Sequence, residues 1–343
     1  MHEVITALLH GRGEVDTVDL LAWRSLWDRL DDGGLDRAEI AALLSTLTTE
    51  LPDRDSLSAM VVSLRERRPA VPAWPNAVNI VGTGGGPRTF NISTAAAFVA
   101  AAMGVPVVKT GSRAYTGSVG SIDLLERLGV KLTKSVDDTA AALEKYGIAF
   151  AGPFVYPAAL SKMARSLVPL AMRPFGKFLN ALGPFLATVP VVAQVTGVSA
   201  AAPLARLREL SDSVDDRRIW LCANDFGADE LLGFAHNVIH PNDGTGPIRL
   251  SPGVLAHGAG AMKDLVEMST PDGLVSHFLD VVTGSAHPAA TEAICLNAAA
   301  LAVAGGHTEH WPDAYAAAEN AVRDGAARAL VDRMRAATAV LRG

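Results

Sequence analysis

Val78-Asn79-Ile80-Val81-Gly82-Thr83-Gly84-Gly85-Gly86-Pro87-Arg88-Thr89-Phe90-Asn91-Ile92-Ser93-Thr94 is the stretch on which the fold turns. Val78 to Val81 reads as a short apolar strand. The four glycines among residues 82–86 let the backbone take positive φ and approach a ligand closely. An alanine-rich helix from Ala95 to Met103 follows, then a strand from Val105 to Lys109 and a helix from Ser121 to Leu128. Strand, loop, helix and strand at this spacing make a βαβ unit, with parallel strands and a right-handed crossover. Apolar runs near 148–152, 191–197 and 218–222 read as further strands. The tail reads as helices over Thr291–Ala304, Trp311–Ala326 and Ala329–Leu341.

The N-terminal texture differs. Leu20, Leu21, Trp23, Leu26 and Leu30 recur at helical spacing, with Asp16-Thr17 or Asp19 available as a cap. Leu35-Asp36 opens a second helix through Ile40, Leu43, Leu44 and Leu47. A third runs from Arg54 to Arg67 with Leu57, Met60, Val61 and Leu64 on one face. Three prolines, Pro69, Pro72 and Pro75, then mark an extended linker. The expected organisation is α/β in class: a helical domain over 1–70, joined by later helices, and an α/β domain over 71–343 built on a mainly parallel sheet. The faces Leu20, Leu21, Trp23 and Leu43, Leu44, Leu47 exceed what one small lobe needs to cover itself, which predicts a homodimer.

Composition narrows the function classes. The chain has 343 residues, 49% hydrophobic and 19% charged, so global disorder is excluded. A net charge of -6 gives no bulk attraction to nucleic acid or an anionic membrane. The two cysteines, Cys222 and Cys295, are too few for a disulfide framework, and no signal peptide or spanning segment is read, which predicts a cytoplasmic protein. The histidines His236, His240, His257, His277 and His287 show no metal-ligand spacing.

Three segments carry the chemistry. Asn91, Ser93 and Thr94 sit at the mouth of the helix after the glycine loop, where unpaired N–H groups and the helix dipole favour a phosphate or pyrophosphate. The plainer reading is a glycine turn capped by Ser93 or Thr94. Neither a Walker loop nor Gly-x-Gly-x-x-Gly is present, which disfavours ATP and NAD. The second loop, Lys109 to Ser121, starts at the carboxyl end of a strand and supplies Lys109, Arg113, Ser118 and Ser121. In the third, Asp225-Phe226-Gly227-Ala228-Asp229-Glu230, adjacent carboxylates suit Mg2+ shared with substrate phosphates. An acidic helix start is the bland alternative there.

In order, the chain carries Gly82-Thr83-Gly84-Gly85, Thr89-Phe90-Asn91-Ile92-Ser93-Thr94, Lys109-x-Gly-x-Arg113, Gly120-Ser121-x-Asp123-Leu124-Leu125-Glu126, Asn180-x-Leu-Gly183-Pro184, Asp229-Glu230-Leu231 and Leu296-Asn297-Ala298-Ala299. From about residue 4 to 338 it therefore resembles the anthranilate phosphoribosyltransferases. The resemblance implies the nucleoside phosphorylase/phosphoribosyltransferase class II architecture, a homodimer, and Mg2+-dependent transfer of ribose 5-phosphate from phosphoribosyl pyrophosphate (PRPP) to an aromatic amine. It further implies PRPP binding by Gly82, Thr83, Gly84, Gly85, Thr89, Asn91, Ser93, Thr94, Lys109 and Ser121. Metal ligation is implied for Ser93, Asp229 and Glu230, and a catalytic role for Lys109, Asp229 and Glu230.

The departures fall mostly on the acceptor side. Gly86 stands where the family has Asp, Thr110 and Ser112 replace the His and Asn of Lys-His-Gly-Asn-Arg, and Tyr156 replaces the His of His-Pro-Ala. Arg165 and Arg173 remain as basic residues near the displaced acceptor motif, and Thr110, Ser112, Tyr156 and Arg173 are the expected acceptor-side residues. These changes predict an aromatic or heteroaromatic acceptor other than anthranilate. Anthranilate itself is the alternative, followed by a pyrimidine-nucleoside phosphorylase reaction, which the Asp229-Glu230 pair disfavours. A nucleic-acid-binding relative fits the acidic balance poorly.

Overall fold

Aspartates start three of the N-terminal helices by accepting backbone N–H groups that have no partner within the helix. Asp19 accepts from Ala22 at the start of Leu20–Asp31, and Asp53 accepts from Asp55 and Ser56 at the start of Arg54–Glu66. Asp36 and Glu39 form a reciprocal capping box on Arg37–Thr49. The computed structural model describes residues 1–10, 17–68, 71–111, 120–170, 173–266, 268 and 270–340.

The chain divides into two units. The helical unit takes Met1–Val71, Phe154–Thr188 and Pro203–Ser213, so the α/β stretch expected from 71 to 343 is interrupted twice. Its added helices are Ala158–Ser166, Lys177–Leu186 and Leu204–Ser211. Trp23 and Trp27 stack with ring centroids 5.5 Å apart in its core. Both indole N–H groups are paired: Trp23 Nε1 donates to Ser56 O at 2.9 Å, and Trp27 Nε1 to Ser63 Oγ at 2.8 Å. Such pairing lets the large rings be buried without a desolvation cost on their polar edge.

Most of the apolar faces read as surplus are covered within the single chain. Trp23, Leu43, Leu44 and Leu47 are all buried within the single chain, because the returning helical segments give them a cover that the N-terminal sequence alone does not reveal. Leu21, placed with them by spacing, lies on the opposite side of its helix and is 69% exposed.

The second unit is built on a seven-stranded sheet in the order β3-β2-β1-β4-β5-β6-β7. The strands are β1 (Val78–Gly82), β2 (Val107–Lys109), β3 (Ile148–Phe150), β4 (Ala193–Gly197), β5 (Arg218–Asn224), β6 (Asn237–Pro241) and β7 (Ile248–Leu250). Strands β1 to β5 pair in parallel, and β6 and β7 add antiparallel. The sequence reading missed this last pair. Asn237, His240 and Pro241 interrupt the apolar run by which the other strands were read.

Alanines make this packing possible. Ile92–Ala102 lies against the buried helix Pro288–Ala304, and both present small side chains that allow close approach. Pro288–Ala304 is apolar on nearly every side, as expected of a helix enclosed by its own unit. The chain leaves β1 toward β2 and β3, then returns to β4 on the other flank of β1. That reversal sets a topological switch point between β1 and β4, where open α/β sheets bind ligands beyond the strands' carboxyl ends. Gly82 and Gly197 stand opposite each other there. Among the described residues, no helix is long and apolar enough to cross a membrane.

Ser63→Ala strands the buried Trp27 N–H and is expected to lower stability by about 1–3 kcal/mol, read as a lower urea midpoint at unchanged slope. An unchanged midpoint would mean the indole finds another partner.

Candidate functional site

The carboxyl ends of β1 and β4 finish in glycine because the segment after β5 presses onto both. A Cβ on Gly82 would overlap Asp229 Oδ2, and one on Gly197 would overlap the Asp229 carbonyl. Gly84 and Gly85 then take φ of 64° and 79°, a left-handed path that a side chain would strain. This turn aims the Gly84 N–H at Asp229 Oδ2, 2.7 Å away.

Ser199, which the sequence reading did not single out, ties the loop to β4. Its N–H donates to Thr83 Oγ1 at 3.0 Å and its hydroxyl to the Gly84 carbonyl at 2.7 Å. Asn224 and Asn297 fix the acidic segment in the same way. Asn224 Oδ1 accepts from the N–H groups of Phe226 and Ala228, while its Nδ2 donates to the carbonyls of Ala228 and Glu230. Asn297 brackets Leu231, accepting from its N–H at 3.2 Å and donating to its carbonyl at 2.8 Å. The segment is thus an irregular turn held by one local and one distant amide, and the acidic helix start considered from sequence does not form.

Three charged groups meet at this end of the sheet, Lys109 buried and Asp229 and Glu230 partly so. Lys109 is 3% exposed, and its Nζ donates to Ile80 O at 3.1 Å, Ser93 Oγ at 3.2 Å and Thr110 O at 3.3 Å. Burial pulls its pKa down to about 8 against the opposing charges of Glu230 and Asp229. Burial raises the carboxyl pKa of Asp229, opposed by the Gly84 hydrogen bond. Burial first, and then the Asp229 charge, hold Glu230 well above the ordinary carboxylate range.

Glu230 Oε1 accepts from Thr89 Oγ1 at 3.2 Å, and Glu230 Oε2 is buried with no hydrogen-bond partner among the described residues. An orphaned carboxylate oxygen beside a second desolvated carboxylate fits a divalent cation. Mg2+ takes one or two protein carboxylates and completes its shell with water and phosphate oxygens. Among the described residues no three His, Cys, Asp or Glu side chains gather as a metal site.

The remaining expected residues divide. Asn91 is the N-cap of Ile92–Ala102, with Ser93 in its first turn beside Lys109. Thr94 is fully buried with its hydroxyl unpartnered, because the helix turns that side chain into the core. Ser121 begins Ser121–Leu128 and packs so closely on Gly111 that a Cβ there would overlap its hydroxyl. Thr110, expected to line an acceptor pocket, is 1% exposed, and its hydroxyl meets the Asn79 side chain. Tyr156 belongs to the helical unit. Arg173 lies in the short turn Arg173–Phe175 of that unit, and its side chain is outside the described residues, as is all of Ser112.

Gly86 has a steric reason. A Cβ there would lie 2.8 Å from the Gly227 carbonyl and 3.0 Å from Ser199 Cβ. Gly86→Asp, which writes in the residue usual in the resembled family, is expected to cost about 1–3 kcal/mol by overpacking, seen as a lower thermal midpoint. A variant as stable as the parent would show that the 225–228 turn yields freely.

The family model for the glycosyl transferase family α/β domain matches residues 74–328. Anthranilate phosphoribosyltransferase of Geobacillus thermodenitrificans is 31% identical over 310 residues, covering 89% of this chain and 90% of the relative. The crystal structure of anthranilate phosphoribosyltransferase from Thermus thermophilus superposes with a TM-score of 0.81 at 29% identity, over 100% of both chains. The Saccharomyces cerevisiae enzyme in complex with PRPP and Mg has the same fold, with a TM-score of 0.81 at 19% identity over 98% of this chain and 97% of that one. The glycine-ended switch point, its buried lysine and its paired carboxylates thus occur in a chain that belongs to the anthranilate phosphoribosyltransferase family of glycosyltransferases.

Proposed function

We propose that this enzyme uses Mg2+ to transfer the 5-phosphoribosyl group of PRPP to anthranilate. The observation that carries the donor half is the buried Lys109 beside the partly buried carboxylates Asp229 and Glu230 at the β1–β4 switch point, with Glu230 Oε2 left without a partner among the described residues. The names of the relatives support the acceptor half.

In this reading the turn Gly82–Gly85 and the first turn of Ile92–Ala102, with Asn91 and Ser93, receive the diphosphate through backbone N–H groups and hydroxyls. Protonated Lys109 faces the charge that grows as diphosphate leaves. Ser93, Asp229 and Glu230 would hold Mg2+, which when bound neutralises diphosphate oxygens and makes them a better leaving group. The C1–O bond breaks with oxocarbenium character at C1, the amine lone pair forms the new C1–N bond, and the amine releases a proton. Such a reaction depends on positioning and electrostatics more than on a strong base. Thr89 and the Gly84 N–H orient the two carboxylates. A cytoplasmic homodimer accompanies this reading as the family's usual setting.

One observation favours the second reading, a changed aromatic acceptor. Thr110 supplies neither an imidazole nor a free hydroxyl, since its hydroxyl is engaged by Asn79. Steady-state turnover decides between the two. The proposal expects anthranilate to be consumed at roughly 1 per second or faster, whereas turnover of another aromatic amine with none of anthranilate would select the changed acceptor.

The donor half has its own test. Calorimetry is expected to show PRPP binding that strengthens with Mg2+, and the pair Asp229→Asn with Glu230→Gln to lose that enhancement and at least about 100-fold in kcat/KM, a loss of roughly 2.7 kcal/mol in transition-state stabilisation. No PRPP binding with or without metal would end the phosphoribosyltransferase reading. Unchanged Mg2+ dependence in the double variant would make the carboxylates structural.

A further inference from the structure

The sheet is not evenly zipped around the site. β1 pairs with β4 along five residues, from Val78–Ala193 to Gly82–Gly197, but with β2 at the single pair Val78–Val107. Beyond that pair two side chains bridge the strands. From β2, Lys109 Nζ reaches across to the carbonyl of Ile80 at 3.1 Å. From β1, the fully buried Asn79 reaches across to Thr110, the residue that follows β2.

The Thr110 N–H can only donate, and it donates to Asn79 Oδ1 at 3.1 Å. That single bond fixes which end of the Asn79 amide is oxygen. Asn79 Nδ2 is then left to donate to Thr110 Oγ1 at 3.1 Å and to Gln194 Oε1 at 3.3 Å. The Gln194 amide is oriented in turn, with Nε2 donating to Thr196 Oγ1 at 3.0 Å. A buried polar line thus crosses the middle of the sheet from β2 through β1 to β4. None of these groups belongs to the glycine loop or the acidic turn.

The end of this line matters to the site because Thr110 contributes its carbonyl as one of the three acceptors of Lys109 Nζ. Holding the Thr110 peptide plane therefore holds the lysine's aim. We infer that Asn79 is a positioning residue for diphosphate binding: by clasping the Thr110 N–H across the β1–β2 gap, it fixes the peptide that directs Lys109 toward Ser93 and the glycine loop. The inference rests on the PRPP reading above for its functional meaning, but not for its structural test.

Two variants separate positioning from bulk. Asn79→Leu keeps the volume and removes both polar ends. Asn79→Asp keeps an acceptor for the Thr110 N–H, and a flipped Gln194 amide can donate to its other oxygen. Hydrogen exchange of the Thr110 amide, affinity for inorganic pyrophosphate with Mg2+, and separate KM values for PRPP and acceptor are the readouts. Asn79→Leu is expected to speed exchange at Thr110 at least about 10-fold and to weaken pyrophosphate binding roughly 10- to 100-fold, the equivalent of one or two lost buried hydrogen bonds. It should raise the KM for PRPP in step and leave the acceptor's KM within about threefold, a split that general loosening of the fold would not give. Asn79→Asp is expected to restore Thr110 protection and most of the pyrophosphate affinity. Parental pyrophosphate affinity in Asn79→Leu, or an Asn79→Asp variant as impaired as Asn79→Leu, would overturn the inference. If the parent protein consumes no PRPP, the transferase reading fails instead, while Thr110 exchange and pyrophosphate affinity still decide the role of Asn79.

Discussion

Partial burial of two carboxylates against one buried lysine at the open end of the parallel strands is the constraint around which the α/β unit is arranged. Desolvated charge is expensive, and a protein retains it where a ligand or ion repays the cost. Here the cost is visible in the directions of all three groups: Lys109 is driven toward its neutral form, and Asp229 and Glu230 toward theirs. A chain selected for stability alone would have no reason to keep them. The glycines at Gly82 and Gly197 are the steric counterpart, since each gives up a side chain so that Asp229 can sit against the strand ends.

Rigidity at the site comes from polar side chains rather than from regular structure. Asn224 and Asn297 hold the acidic turn, Ser199 holds the glycine loop, and Asn79 spans the gap between β1 and β2. Each satisfies backbone groups that a strand or helix would otherwise have paired, as buried N–H and C=O groups require. The consequence is a set of irregular segments with fixed positions at the mouth of the sheet, where backbone N–H groups can turn toward an anion. Pre-set donors of this kind need little reorganisation when diphosphate charge develops.

What was legible in the sequence follows from range. β1, β4 and β5 are apolar runs bounded by turn residues, and the helices carry aspartate caps or alanine-rich faces, so local pattern sufficed to find them. Gly82–Gly85, Lys109 and Asp229-Glu230 were legible as chemistry because their residue types are hard to explain as core. Ser199 and Asn79 were not, since each is an ordinary polar residue whose role depends on a partner brought close by folding. Thr94 and Thr110 show the converse: both read as ligand groups from their neighbours, and both are turned into the interior. The N-terminal apolar faces read as an interface for the same reason, because the segments that cover them lie more than a hundred residues downstream.

Anomalous diffraction from crystals soaked with Mn2+ and PRPP would test the central claim most directly, Mn2+ standing in for Mg2+ at a hard oxygen site. The account predicts a manganese peak at bonding distance from Asp229 or Glu230, with the diphosphate seated on Gly82–Gly85 and beside Lys109. A metal bound elsewhere, or a diphosphate away from the glycine loop while Glu230 Oε2 stays unpartnered, would contradict it.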